Sequence, residues 1–222
     1  MSEPVLRAIG VRRVYGDGTA AVTALDGVDL DLHPGEFVVL RGRSGAGKST
    51  LLAILSGLDA PTAGRVELNG RPVADADAVR RGRVASVFQS FALIPVLSAS
   101  ENVEVPLRVR RVRPDERRRR VAEALAAVGL AGHALQRPAE LSGGQQQRVG
   151  IARAIVGRPS VLLADEPTGQ LDSETGRSVV DLLVRLVHER SMSALVATHD
   201  PSVAERADRV VEIRDGRLVH HR

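Results

Sequence analysis

One lysine marks the part of the chain where chemistry is expected. The sequence has 31 lysine and arginine residues, and Lys48 is its only lysine. Lys48 lies in residues 42–49, which match G-x-x-x-x-G-K-[ST], the pattern of a phosphate-binding loop. A compact ammonium on a flexible stem fits between β- and γ-phosphates, whereas a planar guanidinium has the wrong shape. These residues therefore predict a site for a nucleoside triphosphate.

The surroundings of this loop agree with that interpretation. A buried strand is predicted at 36–40, before the loop, and a helix at 49–55, after it. The three glycines of the loop can adopt backbone conformations that other residues avoid, and the helix N-terminus favours an anion. The Ser49 hydroxyl is expected to bind Mg²⁺. The expected nucleotide contacts are Gly42, Arg43, Ser44, Gly45, Ala46, Gly47, Lys48, Ser49 and Thr50.

Two adjacent carboxylates follow another apolar strand. The strand is predicted at 160–164, and Asp165 and Glu166 come directly after it. Ligands of open α/β sheets bind at the carboxyl ends of the strands, so both side chains are expected to face the phosphates. Asp165 is expected to hold the Mg²⁺ shell. Glu166 is expected to orient and activate the water that attacks the γ-phosphate.

Residues 141–145 provide a second helix N-terminus with glycines. Its N–H groups and its positive helix end form a second possible cradle for an anion. One ATP does not obviously need two such cradles from one chain. If two chains meet head to tail, the cradle of each can cover the triphosphate held by the other. The residues of this cradle are Ser142, Gly143, Gly144 and Gln145.

The composition narrows the class of protein. Cysteine is absent from the sequence, which excludes disulfides and thiolate metal sites. Hydrophobic residues make up 43% of the 222 residues, enough for a substantial core. The first residues lack the apolar run of a signal peptide, and no apolar stretch is long enough to span a membrane. We expect a soluble, intracellular protein.

The net charge of +4 raises the question of a polyanionic partner. Much of the positive charge lies at 108–120, where no aromatic residues are interleaved for base stacking and two acids interrupt the run. A solvated helix face is the main interpretation. Contact with acidic lipid headgroups or with a partner protein is the alternative, and nucleic acid is not expected.

Strands and helices are predicted to alternate around the phosphate-binding loop, which indicates a mostly parallel sheet covered by helices. The predicted strands are 5–14, 25–32, 36–40, 64–69, 160–164, 194–198 and 209–213, with a hairpin at 215–216. The predicted helices are 49–55, 115–128, 144–157, 173–190 and a short one from Pro201. An exposed loop or short helix is predicted at 71–83. We predict one domain over 1–222, with a helical subdomain inserted at about 89–158.

With these motifs the sequence resembles the nucleotide-binding subunits of ATP-binding-cassette (ABC) transporters, and the resemblance covers residues 5–219. It implies a P-loop NTPase (RecA-like) α/β fold, in which a mostly parallel sheet core carries an N-terminal antiparallel β subdomain and an inserted α-helical subdomain. It also implies that Tyr15 stacks on adenine and that Gln89 contacts Mg²⁺ and the attacking water. By the same resemblance, Asp172 lies in the loop that lines the dimer seam, and His199 contacts the γ-phosphate.

Several strings resemble one branch of this family. Residues 88–95, 101–107 and 164–169 look like those of the lipoprotein-release, macrolide-efflux and cell-division systems. There the ATPase pairs with a permease that has few transmembrane helices and a large extracytoplasmic domain. Gln170 departs from the branch, which usually has asparagine at this position. The longer side chain puts the fine geometry of the dimer seam in question.

The resemblance implies the ATPase subunit of an ABC transporter, with ATP and Mg²⁺ as cofactors and with export or extraction as the favoured direction. The implied catalytic residues are Lys48, Glu166 and His199, and the implied metal-binding residues are Ser49, Gln89 and Asp165. The implied partners are an integral-membrane permease, which holds the chain at the inner (cytoplasmic) face of the cell membrane, and a second copy of the chain. The two copies are expected to sandwich two ATP. A mechanical or regulatory switch without a transported substrate is the alternative. A soluble ABC protein acting on DNA or ribosomes is disfavoured, because there is one cassette and no sustained heptad pattern.

Overall fold

The computed structural model describes residues 3–73 and 83–219. The strands formed within these residues are β1 (Leu6–Tyr15), β2 (Val22–Leu32), β3 (Phe37–Arg41), β4 (Ala63–Leu68), β5 (Arg71–Pro72), β6 (Val84–Val87), β7 (Val161–Asp165), β8 (Ser193–Thr198), β9 (Arg209–Arg214) and β10 (Arg217–Val219). The α-helices are α1 (Lys48–Leu55), α2 (Ala99–Val109), α3 (Pro114–Ala127), α4 (Gly143–Ile155), α5 (Ser173–Arg190) and α6 (Pro201–Ala204).

A six-stranded sheet lies at the centre, with the order β10-β9-β3-β8-β7-β6. All neighbours are parallel except β10, which pairs antiparallel with β9. Arg41 pairs with Thr198, and Asp165 pairs with Ala197, so β3, β8 and β7 end side by side. The sheet therefore presents the ends of these three strands at a single edge, where open α/β sheets bind ligands.

Apolar side chains cover both faces of this sheet, as parallel strands require. Val39 lies in a cluster with α2, α3, α4 and α5. Val38 and Leu40 lie in a second cluster with α1 and an antiparallel sheet of order β2-β1-β4-β5. The alternation of the β3 side chains thus connects the two layers. The predicted fold class, a mostly parallel core with an N-terminal antiparallel sheet and inserted helices, is confirmed.

The helices α2, α3 and α4 are inserted between β6 and β7. The helices predicted at 115–128 and 144–157 correspond to α3 and α4, but the sequence analysis did not predict α2 or β6. A capping box starts α2, in which Ser98 and Glu101 exchange side-chain to backbone hydrogen bonds. The subdomain bounds of 89–158, within one domain over 1–222, stay a prediction. The loop or short helix predicted at 71–83 is wrong at its start, because residues 71–72 pair with β4 and form β5. Residues 74–82 of it lie outside the described residues.

The arginine-rich stretch is partly neutralised by neighbouring acids. Arg117 pairs with Glu104, and Arg118 with Asp115 on its own helix. Hydrogen bonds from Arg119 and Arg120 lower the pKa of Glu116 to about 2. These contacts agree with a solvated helix face. No helix in the described part of the chain has the length and apolar character needed to cross a membrane.

Candidate nucleotide site

A cleft of about 680 Å³ lies where the phosphate-binding loop meets the sheet edge formed by β3, β7 and β8. Five segments contribute to it: β2, the loop with the start of α1, the segment after β6, the end of β7 and the end of β8. The lining residues are Ala24, Arg43, Ser44, Gly45, Gly47, Lys48, Ser49, Thr50, Gln89, Asp165, Glu166 and His199. The structure therefore brings most of the predicted phosphate, metal and catalytic residues together.

The glycines of the loop meet two different structural needs. Gly45 and Gly47 have φ values of +79° and +107°, in the region that favours glycine. Gly42 does not adopt such a conformation. A Cβ atom at Gly42 would instead lie 2.5 Å from the carbonyl oxygen of Ile213. The expectation of unusual backbone freedom at Gly42 is therefore wrong, because that glycine permits close packing against β9.

Lys48 is the first residue of α1, and it is only 8% exposed. Its Nζ donates to the carbonyl oxygens of Gly42, at 2.8 Å, and Arg43, at 3.2 Å. It also lies 3.8 Å from Oε1 of Glu166. The ammonium is thus satisfied by its own loop and faces a counter-charge across the cleft. Its three donors can exchange these carbonyl oxygens for phosphate oxygens.

Asp165 ends β7 and points a buried oxygen into polar surroundings. Its Oδ1 has no hydrogen-bond partner among the described residues. An unpaired buried carboxylate oxygen costs free energy of folding, so a cation or a hydrogen-bond donor is expected to bind this atom. The Ser49 hydroxyl and the Gln89 amide line the same cleft and offer the hard oxygen atoms that Mg²⁺ prefers. The donor set fits a magnesium ion.

Glu166 combines an unusual backbone with a fixed side chain. Its φ is +45°, which non-glycine residues rarely adopt and which tends to occur at functional sites. Its Oε2 accepts a hydrogen bond from Oγ1 of Thr198 at 3.1 Å, and its Oε1 lies 3.0 Å from Nδ1 of His199. The side chain of His199 is 75% exposed, whereas Thr198 is fully buried. The carboxylate is therefore held in place from β8.

Thr198 is a site residue that the sequence analysis missed. Its hydroxyl holds Glu166 and also accepts the backbone N–H of Asp200. The available signal was its position at the end of a predicted strand, directly before His199. Because β8 neighbours β7, a hydroxyl at that place lies beside the carboxylate that ends β7.

Gln89 lies in the cleft beside the segment that follows Glu166. A Cβ atom on Gly169 would lie 2.9 Å from Nε2 of Gln89, so the amide packs against bare backbone there. The Gly169 N–H in turn donates to the carbonyl oxygen of Glu166 at 3.0 Å. The predicted metal and water contact therefore adjoins the turn that carries the predicted base.

Tyr15 lies outside the cleft lining. Its hydroxyl donates to Asp59 at 2.8 Å, and the guanidinium of Arg13 lies 4.4 Å from the ring centroid. The ring is held by these two contacts and is 41% exposed. The stacking of adenine on Tyr15 stays a prediction.

The second predicted cradle does not contribute to the cleft. Ser142 caps α4 in a capping box with Gln145. A Cβ atom on Gly144 would lie 2.4 Å from Cγ2 of Thr175, so this glycine lets α4 approach α5. Asp172 caps α5 and accepts the N–H groups of residues 174 and 175. The hydrogen bond from the backbone N–H of Thr175, together with that from Glu174, lowers the pKa of Asp172. Ser142, Gly143, Gly144, Gln145 and Asp172 are thus absent from the cleft lining.

Comparison with known proteins agrees with this geometry. The model of the family described as "ABC transporter" matches residues 25–169. The chain is 48% identical over 225 residues to the lipoprotein-releasing system ATP-binding protein LolD of Ruegeria sp. (strain TM1040), covering 99% of both. It is 47% identical over 221 residues to the macrolide export ATP-binding/permease protein MacB of Brucella melitensis biotype 1, covering 97% of the chain and 34% of that relative. The chain thus spans about a third of the length of the MacB relatives it matches.

A solved structure gives the same assignment. A dimeric ATP-binding cassette, bound to ADP and Pi in a post-hydrolysis state, superposes with a TM-score of 0.87. The two chains are 41% identical, and 97% of each is covered. The resemblance predicted from the motifs is confirmed, and both sequence relatives belong to the predicted lipoprotein-release and macrolide-export branch. The chain therefore belongs to the ABC transporter family, as one of its ATP-binding cassettes.

Proposed function

We propose that the chain is the ATP-hydrolysing subunit of an export system related to lipoprotein release and macrolide export. The observation that carries the proposal is the placement of Glu166. Its backbone is in the left-handed region, and its carboxylate is fixed by Thr198 and His199 across the cleft from Lys48. A phosphate loop facing a positioned base is the arrangement that hydrolysis of a nucleoside triphosphate needs. The names of the relatives support export.

The proposed substrate is ATP together with Mg²⁺. Lys48 would neutralise charge on the β- and γ-phosphates. Ser49, Gln89 and Asp165 would hold Mg²⁺, which would neutralise developing phosphate charge when bound. Among the described residues, no group of three acidic, histidine or cysteine side chains could hold a metal alone. Mg²⁺ bound here would therefore complete its shell with phosphate and water oxygens, which is its usual behaviour.

The proposed reaction is attack of water on the γ-phosphorus. Glu166 would accept the proton of the attacking water while the bond between the γ-phosphorus and the bridging oxygen breaks. Thr198 would keep the carboxylate in position by its hydrogen bond, and His199 would donate toward the γ-phosphate. Lys48 would neutralise the charge that develops on the leaving ADP. The two products would be ADP and inorganic phosphate.

Two partners complete the proposal. The cradle at 142–145 and Asp172 lie outside the cleft, which supports a head-to-tail pair of chains enclosing two ATP. The solved dimeric relative supports the same pairing. An integral-membrane permease would contact the chain at the cytoplasmic face of the membrane. The contact would involve the segment around Gln89, where Phe88, Ile94 and Val96 are exposed. Neither relative's name favours the alternative of a switch without a transported substrate.

Replacement of Glu166 tests the catalytic part of the proposal. The Glu166→Gln variant keeps the shape but loses the base, so we expect steady-state ATP hydrolysis to fall by about a hundredfold or more. An ATP-bound dimer should accumulate, measured as an earlier elution by size exclusion with ATP. Glu174→Gln, an exposed acid on α5, is the matched control. Unchanged hydrolysis in Glu166→Gln would contradict the assignment.

The export part needs a separate experiment. Purification of ATP-loaded Glu166→Gln from native membranes should recover a permease with a few spanning helices and a large extracytoplasmic domain. Recovery of soluble proteins alone, with the ATP-bound dimer intact, would overturn the transporter assignment but leave the ATPase assignment standing.

A further inference from the structure

A buried amide on α4 has a role that the site described above does not include. Gln147 is fully buried, one helical turn beyond the Ser142 cap. Its Nε2 donates to the carbonyl oxygen of Pro167 at 2.7 Å. Its Oε1 is also buried, and it has no hydrogen-bond partner among the described residues. The NH₂ group of this amide is thus hydrogen-bonded, whereas its oxygen is buried without a donor.

The chemistry fixes which half faces Pro167. A carbonyl oxygen can only accept a hydrogen bond, so the NH₂ group of Gln147 must point toward it and Oε1 must point away. A buried oxygen without a donor destabilises the fold. A methionine would fill a similar volume without that penalty. The methionine would, however, lose the bond to Pro167, so the amide has two opposing effects on stability and its net contribution is small.

The acceptor belongs to the turn that carries the proposed base. Pro167 directly follows Glu166, whose backbone is in the left-handed region. The backbone of Glu166 is held on one side by its N–H, which donates to Ala197 at 2.9 Å. On the other side its carbonyl accepts from Gly169. Pro167 has no N–H to donate, so its carbonyl oxygen is its only backbone hydrogen-bonding group. The bond from Gln147 to that oxygen ties this turn directly to α4.

The other end of the same helix carries the second cradle. Ser142 and Gly143 lie at the N-terminus of α4, just over one turn before Gln147. An α-helix of this length is stiff, so a displacement of its N-terminus moves Gln147 and the turn at Pro167 with it. A single buried hydrogen bond therefore connects the base of this chain's cleft with the surface proposed to cover the ATP of a second copy.

We propose that Gln147 is a positioning residue for ATP hydrolysis, which sets the place of Glu166 through Pro167 and ties it to the N-terminus of α4. The inference rests on the proposed function, since it assigns a role within that same site. It predicts that removal of the amide lowers turnover without weakening ATP binding, and by more than any change in Tm explains.

The first test replaces the amide by a side chain of similar volume. For Gln147→Met we expect kcat to fall about tenfold, which corresponds to the loss of about 1.4 kcal/mol of positioning. The Kd for ATP should be unchanged, and Tm should change little, because removal of the unsatisfied Oε1 offsets the loss of the hydrogen bond to Pro167. Gln146→Met is the matched control. Gln146 is the preceding residue on the same helix and donates to Leu141, away from the cleft.

The second test restores the hydrogen bond by protonation. Burial raises the pKa of a carboxyl group, so the side chain introduced by Gln147→Glu is protonated at low pH and can donate to Pro167. It becomes an anion facing a carbonyl oxygen as the pH rises. We therefore expect kcat of Gln147→Glu, relative to that of the unmodified chain, to fall with rising pH. Ionisation of a buried carboxyl also lowers stability, so Tm is measured over the same pH range. A fall of kcat at pH values where Tm is unchanged indicates positioning, and it tests the inference even if Gln147→Met folds poorly.

The outcomes separate the inference from the proposed function. A kcat for Gln147→Met equal to that of Gln146→Met, with a flat relative pH profile for Gln147→Glu, would overturn the positioning role. A kcat that falls only under conditions where Tm also falls would overturn the positioning role as well. Absence of hydrolysis by the unmodified chain, or full hydrolysis by Glu166→Gln, would instead overturn the proposed function itself.

Discussion

The N-termini of α1 and α4 are built from similar residues but have different surroundings. Each begins at a glycine-containing loop, and each offers backbone N–H groups to an anion. The N-terminus of α1 has no side-chain cap. The N-terminus of α4 is capped by Ser142, which accepts the N–H of Gln145. The first helix therefore leaves more of its donors available to a ligand.

The charges around the two helices differ as well. At α1, Lys48 stands opposite Glu166 within the cleft, and Asp165 lies nearby. The α4 cradle has no charged side chain, since residues 141–145 are all uncharged. Polar backbone alone binds a triphosphate more weakly than backbone with a cation. This difference in charge supports the proposal that α1 holds the nucleotide of its own chain and that the α4 cradle contacts a nucleotide held by a second copy.

Glycine also has different tasks in the two loops. Gly47 adopts a left-handed conformation and would clash with Ala24 if it carried a Cβ atom. Gly144 is an ordinary helical residue whose missing Cβ lets Thr175 of α5 approach. Gly143, its neighbour, has only ordinary contacts at 3.5 Å or more. The glycines of the first loop combine a left-handed backbone with close packing against β2 and β9, whereas Gly144 serves only the packing of α4 on α5.

Loss of the lysine should have the largest effect. In Lys48→Ala the cleft loses its buried cation, so we expect the Kd for ATP of the single chain to rise by about a hundredfold. Isothermal titration with MgATP measures this value. Arg65→Ala, which removes an exposed cation paired with Glu67 on β4, is the control. Unchanged affinity in Lys48→Ala would show that α1 does not hold the nucleotide by charge.

A carboxylate in the second cradle should separate binding from turnover. A Cβ atom at Gly143 would make only ordinary van der Waals contacts, and an acid in the first turn of a helix suits its N-terminus, so Gly143→Asp should fold. We expect the Kd for ATP of the single chain to be unchanged, because Gly143 lies outside the cleft. Turnover should fall by about tenfold or more, because the new charge would face the triphosphate of a second copy.

Mixing variants tests whether two copies share a site. A pair formed by Gly143→Asp and Glu166→Gln contains one shared site in which both Glu166 and Gly143 are intact. The mixture should therefore hydrolyse ATP faster than either variant alone. A mixture no faster than the average of its components would contradict a site built from two copies and would place α4 outside the reaction.

The sequence predicted best those elements whose signals are local. The helix predicted at 173–190 matches α5, because Asp172 caps its start and Ser191 ends it in a left-handed conformation. The helix α2 was missed although Ser98 and Glu101 form a capping box. Pro106 lies inside it, and an internal proline argues against a helix. The strand β6 is only four residues long, too short for a period to be read.

Contacts that cross the fold could not be predicted. The motifs identified Lys48 and Glu166, but the bond from Thr198 to Glu166 joins residues 32 positions apart. Residues 145–147 are three consecutive glutamines, and the sequence does not distinguish them. In the fold Gln145 closes the capping box, Gln146 bonds to Leu141 and Gln147 reaches Pro167. The rotation of α4 against its neighbours decides which of them meets the turn.

The N-terminus of α5 differs from that of α4 in the charge of its cap. Its cap is the carboxylate of Asp172, whereas α4 is capped by an uncharged hydroxyl. Hydrogen bonds from the N–H groups of Thr175 and Glu174 lower the pKa of Asp172 from its ordinary value of 3.8. This contribution to the free energy of unfolding is fully present above about pH 4. It is lost as the pH falls through the lowered pKa of the folded state.

Asp172→Asn keeps a good cap without a titrating group, so its Tm should fall less than that of the unmodified chain between about pH 5 and pH 3. Thermal unfolding followed by circular dichroism across this range measures the difference. Glu174→Gln, an acid in the same turn that caps nothing, should follow the unmodified chain. Equal acid sensitivity of Asp172→Asn and the unmodified chain would mean that the carboxylate cap adds no pH-dependent stability. The N-termini of α4 and α5 would then be equivalent in acid despite their different caps.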